Sequence, residues 1–127
     1  MQRLIGKIFS VTILGLGTFS SSASASDFMM LQGDKAKSLL DRDSIVRTGT
    51  TAKATVISVY LNTSSEGEAG YSATREFSCT TRRVRDLKTT YFFKNGSTRQ
   101  DFKVEPWRNV LPNTILETFL DMVCNRP

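Results

Sequence analysis

The N-terminal segment limits what this chain can fold into, because residues 1–25 have the pattern of a secretory signal peptide. A short basic stretch precedes an apolar run over residues 8–19, and Ala23-Ser24-Ala25 then fits the small-x-small rule for signal cleavage. The apolar run has about 12 residues, whereas a membrane-spanning helix needs about 20. We therefore predict cleavage after this motif and a single folded domain over residues 26–127, exported by a bacterium.

The composition of residues 26–127 bears on where the exported chain resides. These residues contain no second apolar stretch long enough to span a bilayer, so we expect no transmembrane segment after cleavage. No cysteine lies near the cleavage motif, which argues against a lipid-anchored form. The cell surface or outer membrane and the periplasm are both compatible with this pattern.

The chain contains two cysteines, Cys79 and Cys124. In an exported protein an even count predicts a disulfide, and two cysteines allow one intramolecular pairing. The closed loop of about 46 residues would stabilise the domain by about 4 kcal/mol in the chain-entropy model. A reactive CxxC pair or a metal site is the alternative, and the spacing fits neither.

The absence of histidine excludes several classes of enzyme. Ser-His-Asp and Cys-His catalysis need an imidazole base, and histidine is also the usual general base near neutral pH and a common zinc ligand. No pair of carboxylates stands out as an acid–base pair. We therefore predict a protein without catalytic activity, cofactor or metal. A small hydrolase that uses carboxylates, lysine or tyrosine is the alternative.

Basic residues concentrate in the middle of the chain, where the densest cluster is Arg82, Arg83, Arg85 and Lys88. Such a cluster attracts anionic partners, for example a sulfated glycan, a lipid headgroup or an acidic protein surface. The pattern favours a simpler interpretation, a solvated hairpin end that is kept basic for solubility and against edge pairing. The seventeen basic and twelve acidic side chains leave a small net charge, and no known motif is present, so we expect no nucleic-acid partner.

Alternating and β-branched segments predict an antiparallel sheet of about six strands. Thr51–Asn62 is the richest in β-branched residues, and both of its alternating sets carry apolar groups, which favours a central strand covered on both sides. Asn95-Gly96 predicts a hairpin with a two-residue type I′ turn. The other predicted strands are Ser26–Leu31, Ser38–Asp41, Tyr71–Cys79, Arg83–Lys94 and Ser97–Lys103.

Two further motifs have structural interpretations. Asp41-Arg42-Asp43-Ser44 predicts a corner in which side chains cap backbone N–H groups, because a calcium site would need about six to eight oxygen ligands. Strand alternation places Tyr91 and Phe93 on one face and Phe92 on the other, with core packing expected on at least one face. Trp107 is expected at the junction of sheet and helix.

One helix is predicted near the C-terminus. Thr114 and Glu117 fit a capping box, in which each side chain accepts a hydrogen bond from the backbone N–H of the other residue. Four apolar residues follow at the spacing of one helix face: Leu116, Phe119, Leu120 and Val123. The order of elements predicts an α+β fold, with this helix packed on one face of the sheet and joined to it by the disulfide.

Several of these features occur in the same order in the surface-adhesin protein E family, which the chain resembles. Asp41-x-x-Ser44-Ile45 is similar to the corner of that family, and Phe77-Ser78-Cys79 is similar to the strand that carries its first cysteine. The similar C-terminal block contains, in order, Trp107, Pro112, the capped helix and Cys124. One departure is Phe28, which stands where family members often carry a tryptophan.

The resemblance implies an antiparallel sheet with one helix fastened by the disulfide. It implies adhesion through the family's name alone, since the matching residues are structural. We therefore expect an exported, non-enzymatic binding module that contacts a protein or glycan on a host or matrix surface. The alternative is a periplasmic accessory protein that supports the envelope or binds a small ligand. A short sheet edge would also allow two copies to pair as a homodimer.

Overall fold

The strands of the sheet lie side by side in the order in which they occur in the chain. The computed structural model describes residues 27–125, so the predicted signal peptide, its cleavage site and the last two residues lie outside this range. Six antiparallel strands form the main sheet: β1 Phe28–Gln32, β2 Ala36–Thr48, β3 Thr51–Tyr60, β4 Glu68–Ser78, β5 Arg83–Phe93 and β6 Thr98–Asp101. A two-residue strand, β7 (Arg108–Asn109), also pairs with β5, and the helix α1 (Ile115–Cys124) follows it.

Helix α1 packs on one face of the sheet, which confirms the predicted α+β architecture. Its buried residues are Phe119, Leu120 and Val123. The buried side chains of the sheet in the same cluster are Leu40, Ala52, Ala54, Val56, Phe77 and Val84. The alanine side chains of β3 leave room for the helix, and each large apolar side chain buried here contributes about 1.5–3 kcal/mol to folding.

The C-terminal end of α1 is tied to the rest of the fold, and its N-terminal end is capped. Cys79, directly after β4, and Cys124 form the predicted disulfide, with their Cα atoms 5.6 Å apart. The Arg47 guanidinium donates a hydrogen bond to the carbonyl oxygen of Cys124 at 2.6 Å, which places a positive charge at the helix C-terminus. At the other end Thr114 caps the helix as predicted, because its Oγ1 accepts the N–H of Glu117 at 3.2 Å.

The second half of the predicted capping box is displaced by one residue. The Glu117 carboxylate accepts the N–H of Asn113 at 3.0 Å, rather than the N–H of Thr114. Asn113 has a φ of 64°, in the left-handed region that asparagine tolerates better than most residues. The chain therefore turns sharply at Asn113, directly before the N-cap, and the helix itself begins where the sequence predicts.

The prediction of a short second strand is wrong, because β2 has 13 residues and continues through the polar corner. Its register with β3 shifts between Asp41 and Val46, where extra residues bulge out of the ladder. The Ser44 hydroxyl donates to the carbonyl of Asp41 at 2.6 Å and accepts the N–H of Thr55 at 2.8 Å. Asp41 Oδ1 accepts the N–H of Asp43 at 3.1 Å, and burial raises the pKa of this carboxyl. The motif has the capping role that we predicted, but it performs it inside a strand.

The prediction of a type I′ turn at Asn95-Gly96 is also wrong. Type I′ needs a positive φ at both central residues, and of these two Gly96 alone has one, at 90°. The Phe93 carbonyl accepts the N–H of Gly96 at 2.9 Å, and the Phe93 N–H donates to the Ser97 carbonyl at 3.0 Å, which closes a three-residue loop. The Asn95 side chain accepts the N–H of Ser97 at 2.9 Å, and this hydrogen bond stabilises the longer loop.

Replacing Cys79 or Cys124 with serine should lower the free energy of unfolding by about 4 kcal/mol, because the two cysteines are 45 residues apart and close a long loop. Urea titration followed by circular dichroism measures this change. The double variant Cys79→Ser/Cys124→Ser is the control and should unfold at the same urea concentration as either single variant. Single variants as stable as the parent would show that the disulfide does not stabilise the fold.

Candidate binding surface

The face of the sheet opposite α1 is not covered by any other element of residues 27–125. The buried cluster beneath α1 lies on the other face. Because cross-strand partners point to the same side of a sheet, the register identifies the side chains that point away from the helix. We call this side the open face. Its larger side chains are Phe28, Met30, Gln32, Lys37, Leu39, Asp41, Val46, Lys53, Ile57, Val59, Glu76, Arg83, Arg85, Lys88, Phe92 and Gln100.

Strand β3 is central, as predicted, but the prediction that it is covered on both sides is wrong. Ala52, Ala54 and Val56 are buried in the cluster beneath α1. Lys53 and Val59, at the alternate positions, are exposed on the open face. Both alternating sets contain apolar residues, so the sequence pattern does not reveal that a helix of ten residues covers one of them.

One end of the open face is mostly apolar, although Lys37 lies there beside Val59. Met30 is 55% exposed, Val59 48% and Phe92 38%. Leu39 is paired with both Met30 and Ile57, so these three side chains form a row across β1, β2 and β3. Contiguous apolar side chains on the surface of a soluble protein are typical of an interaction site.

The other end of the open face combines cations with aromatic rings. The Arg85 guanidinium lies 4.4 Å from the centroid of the Trp107 ring and donates to the Glu76 carboxylate at 2.8 Å. The Lys88 ammonium lies 5.9 Å from the centroid of Phe102, which is 66% exposed. Cation–π contacts hold these charged groups over apolar surface. The arrangement can therefore contact an anionic group and an apolar group side by side.

Three residues of the predicted basic cluster share the open face. Arg83 and Arg85 are two residues apart in β5 and so point to the same side. The register with β4 shifts at Leu87, which brings Lys88 to that side as well. The Arg83 guanidinium donates to the side-chain oxygen of Asn109 at 3.1 Å. A function for this surface stays a prediction.

The fourth residue, Arg82, has a different position. It lies in the β4–β5 turn with a φ of 53°. Its guanidinium forms ion pairs with Glu117 at 3.5 Å and Asp121 at 3.0 Å, both on α1. The hydrogen bond to Asp121 raises the pKa of Arg82. Arg82 therefore links the turn to the helix, although it directly precedes Arg83 in the sequence.

All three tyrosines of the chain lie together on the helix side of the sheet, outside the cluster that α1 buries. The ring centroids of Tyr60 and Tyr71 are 6.2 Å apart, and those of Tyr71 and Tyr91 are 6.5 Å apart. The Tyr60 hydroxyl donates to the Glu68 carboxylate, and burial together with this hydrogen bond raises the pKa of Tyr60. The Arg99 guanidinium lies 4.5 Å from the centroid of Tyr91. We call these three residues the tyrosine row.

A buried ion pair supports the tyrosine row. Arg75 is 8% exposed, and its guanidinium donates to the Asp86 carboxylate at 2.7 Å and to the Tyr71 hydroxyl at 3.0 Å. Burial by itself would lower the pKa of this guanidinium, but Tyr71 and Asp86 outweigh that effect and raise it. Arg75 therefore stays charged and fixes the position of the Tyr71 ring.

The sequence did not predict the tyrosine row, although it contains part of the signal. Tyr60 is in phase with the buried positions of β3, and Tyr71 is in phase with Phe77 of β4. Core packing is predicted for at least one face of residues 91–93, and Tyr91 is half-buried. The three rings meet because Ser58 is paired with Tyr71 and Tyr71 with Tyr91. Strand register depends on the tertiary structure, so a pattern within one strand does not reveal it.

An open depression of about 380 Å³ lies between the β3–β4 loop and the β5–β6 hairpin. It is lined by Glu66, Gly67, Phe93, Lys94, Asn95 and Ser97. Between residues 27 and 125, acidic and cysteine side chains form no group of three or more that could hold a metal ion. Within the same range, no helix has the length and hydrophobicity needed to cross a bilayer.

Comparison with known proteins supports the resemblance found in the sequence. The model of a protein family described as surface-adhesin protein E matches residues 28–125. The match begins at the first residue of β1 and ends one residue after α1, so it includes every strand and the helix described above. No curated protein and no solved structure matches the chain.

Proposed function

This chain belongs to the surface-adhesin protein E family, and on that premise we propose that it is an exported, non-enzymatic binding module. Its partner is a protein or glycan on a host or matrix surface, and the open face is the surface that contacts it. One observation carries the proposal: a sheet face that no other element of residues 27–125 covers holds apolar side chains beside cations.

The apolar end of the open face would supply part of the binding free energy. Removing apolar surface from water contributes roughly 25 cal/mol per Å². Met30, Val59 and Phe92 keep much of their surface in water in the isolated chain. They project from regular strands, so a partner meets them on an ordered backbone and little conformational freedom is lost on binding.

The cationic end would select the partner by charge. The Glu76 carboxylate forms an ion pair with Arg85. Within residues 27–125, Lys53, Arg83 and Lys88 form no ion pair. Sulfate groups of a glycan or carboxylates of an acidic protein surface would neutralise these charges. Such complementarity raises the association rate and excludes basic partners.

Export and domain boundaries form part of this proposal. Residues 1–25 would be removed as a signal peptide, and residues 26–127 would form the single domain at the cell surface. The leader pattern supports this, as does the disulfide, since disulfides persist in oxidising compartments outside the cytoplasm. Membership of an adhesin family supports the surface over the periplasm.

Removing cations from the open face should weaken binding to a sulfated polysaccharide. We expect Arg83→Ser/Arg85→Ser/Lys88→Ser to raise the Kd for heparin by about tenfold or more, since one charge contact in water is worth about 1 kcal/mol. Surface plasmon resonance at constant ionic strength measures the Kd. Circular dichroism establishes that the variant is folded.

The matched control is Lys35→Ser/Lys94→Ser/Arg99→Ser, which removes the same charge from positions off the cationic end of the open face. Its effect should be less than about threefold, because charges more than a Debye length away are largely screened. An equal rise in the Kd for both variants would mean that binding depends on net charge alone. No loss in the first variant would mean that these cations are a solvated hairpin end.

Protease treatment of intact native cells tests the proposed location. A surface adhesin should be degraded while a periplasmic control protein survives, because the outer membrane excludes the protease. Immunoblotting of the mature chain measures the loss. If the chain is protected until the outer membrane is permeabilised, adhesion is the wrong function, and a periplasmic accessory role becomes the hypothesis to test.

A further inference from the structure

The Asn95-Gly96 pair lies at the tip of the β5–β6 hairpin, and the proposed function makes no use of it. Both residues are exposed to water. Gly96 has a φ of 90°, and a Cβ atom at this position would have no atom of residues 27–125 within 4 Å apart from its chain neighbours. Water and hydroxide can therefore reach the Gly96 nitrogen and the Asn95 side-chain amide.

The residue that follows an asparagine decides how easily the backbone attacks its side chain. The nitrogen of that residue can bond to the asparagine Cγ and close a five-membered ring. Glycine has no side chain to obstruct this ring and is the least restricted in φ and ψ, whereas a β-branched residue is stiff and bulky beside it. Asn62, Asn109 and Asn113 all precede β-branched residues, and Asn95 precedes glycine. Asn95 is therefore the most reactive of these four asparagines.

The loop also supplies two hydrogen-bond donors to the Asn95 amide oxygen. Asn95 Oδ1 accepts the N–H of Ser97 at 2.9 Å and the Ser97 hydroxyl at 2.6 Å. Attack on Cγ places negative charge on this same oxygen. Donors that already point at an oxygen where charge develops lower the barrier, as in the oxyanion hole of an enzyme. The two hydrogen bonds therefore favour the attack, and they hold the side chain against the backbone that follows it.

One hydrogen bond opposes the attack. The Gly96 N–H donates to the Phe93 carbonyl at 2.9 Å, and the nitrogen must lose this proton before it can act as a nucleophile. Residues 94–98 are all exposed, so this hydrogen bond belongs to a part of the fold that opens locally at small cost in free energy. The hydrogen bond therefore slows the reaction but does not prevent it.

We propose that Asn95 is a site of spontaneous deamidation. The Gly96 nitrogen bonds to the Asn95 Cγ, the bond from Cγ to the amide nitrogen breaks, and that nitrogen leaves as ammonia with the proton from Gly96. Water then opens the cyclic imide at either of its carbonyls, which gives aspartate or isoaspartate. The net change consumes one water and releases one ammonia. This inference goes beyond the proposed function and does not depend on which macromolecule the open face binds.

The modification changes both the charge and the backbone of the hairpin. Either product carries a carboxylate directly after Lys94. In isoaspartate the backbone runs through the former side chain and gains one methylene group, which disturbs the hydrogen bond between the Phe93 N–H and the Ser97 carbonyl. The next pair of the ladder is Phe92 with Thr98, and Phe92 is exposed at the apolar end of the open face. Deamidation therefore alters the hairpin beside that end.

Peptide mapping by mass spectrometry tests the proposal on the protein as residues 26–127. The protein is incubated in mildly alkaline buffer, and each asparagine is followed by the mass increase of about one dalton that deamidation causes. Asn95 should be converted about tenfold or more faster than Asn62, Asn109 and Asn113 in the same sample. Chromatography should separate an aspartate and an isoaspartate form of its peptide. If Asn95 stays intact, or reacts no faster than the other three, the proposal is wrong.

A pair of variants tests the part that the loop plays. Ser97→Ala removes the hydroxyl donor and keeps the backbone N–H, so it should slow the conversion of Asn95 by about tenfold. Thr98→Ala is the matched control, because it removes a hydroxyl one residue further along β6 and should leave the rate unchanged. Circular dichroism establishes that both variants are folded. Conversion in Ser97→Ala at the parent rate would overturn the role assigned to Ser97.

Discussion

The structure depends on the packing of one short helix against one face of one sheet. Phe119, Leu120 and Val123 complete the core, and no buried cluster would exist on the sheet without them. The helix has ten residues and is too short to be stable alone in water, so its ends must be held. The disulfide, the Arg47 hydrogen bond and the Thr114 cap provide this restraint. A small domain with a limited core gains proportionately from such a covalent link.

This arrangement determines the character of both faces. On the helix side, one half of the sheet is buried beneath α1. The other half carries the tyrosine row, whose position is fixed by Arg75 and its ion pair with Asp86. No helix of residues 27–125 covers the open face, and its apolar and cationic ends remain in contact with water. We infer that the two sides have different roles: the helix side stabilises the sheet, and the open face is available to a partner.

Local features were predictable from the sequence, and features that depend on strand register were not. The disulfide, the Thr114 cap and the α+β class follow from cysteine count, capping chemistry and periodicity, which are properties of neighbouring residues. The extension of β2 depends on a hydrogen bond to the neighbouring strand β3, in which the Ser44 hydroxyl accepts the N–H of Thr55. The separation of Arg82 from Arg83 depends on the left-handed turn and on carboxylates of α1. The exposure of one side of β3 depends on where the helix packs. No sequence pattern within β3 indicates that position.

The central claim is that the open face is the binding surface, and hydroxyl-radical footprinting tests it most directly. The protein, as residues 26–127, would be labelled free and bound to heparin beads, and oxidation would be quantified by mass spectrometry. The account predicts that Phe102 and Trp107 are protected on binding, while oxidation of the tyrosine row is unchanged. Protection of Tyr60, Tyr71 and Tyr91 with Phe102 and Trp107 unaffected would contradict the account and assign binding to the helix side of the sheet.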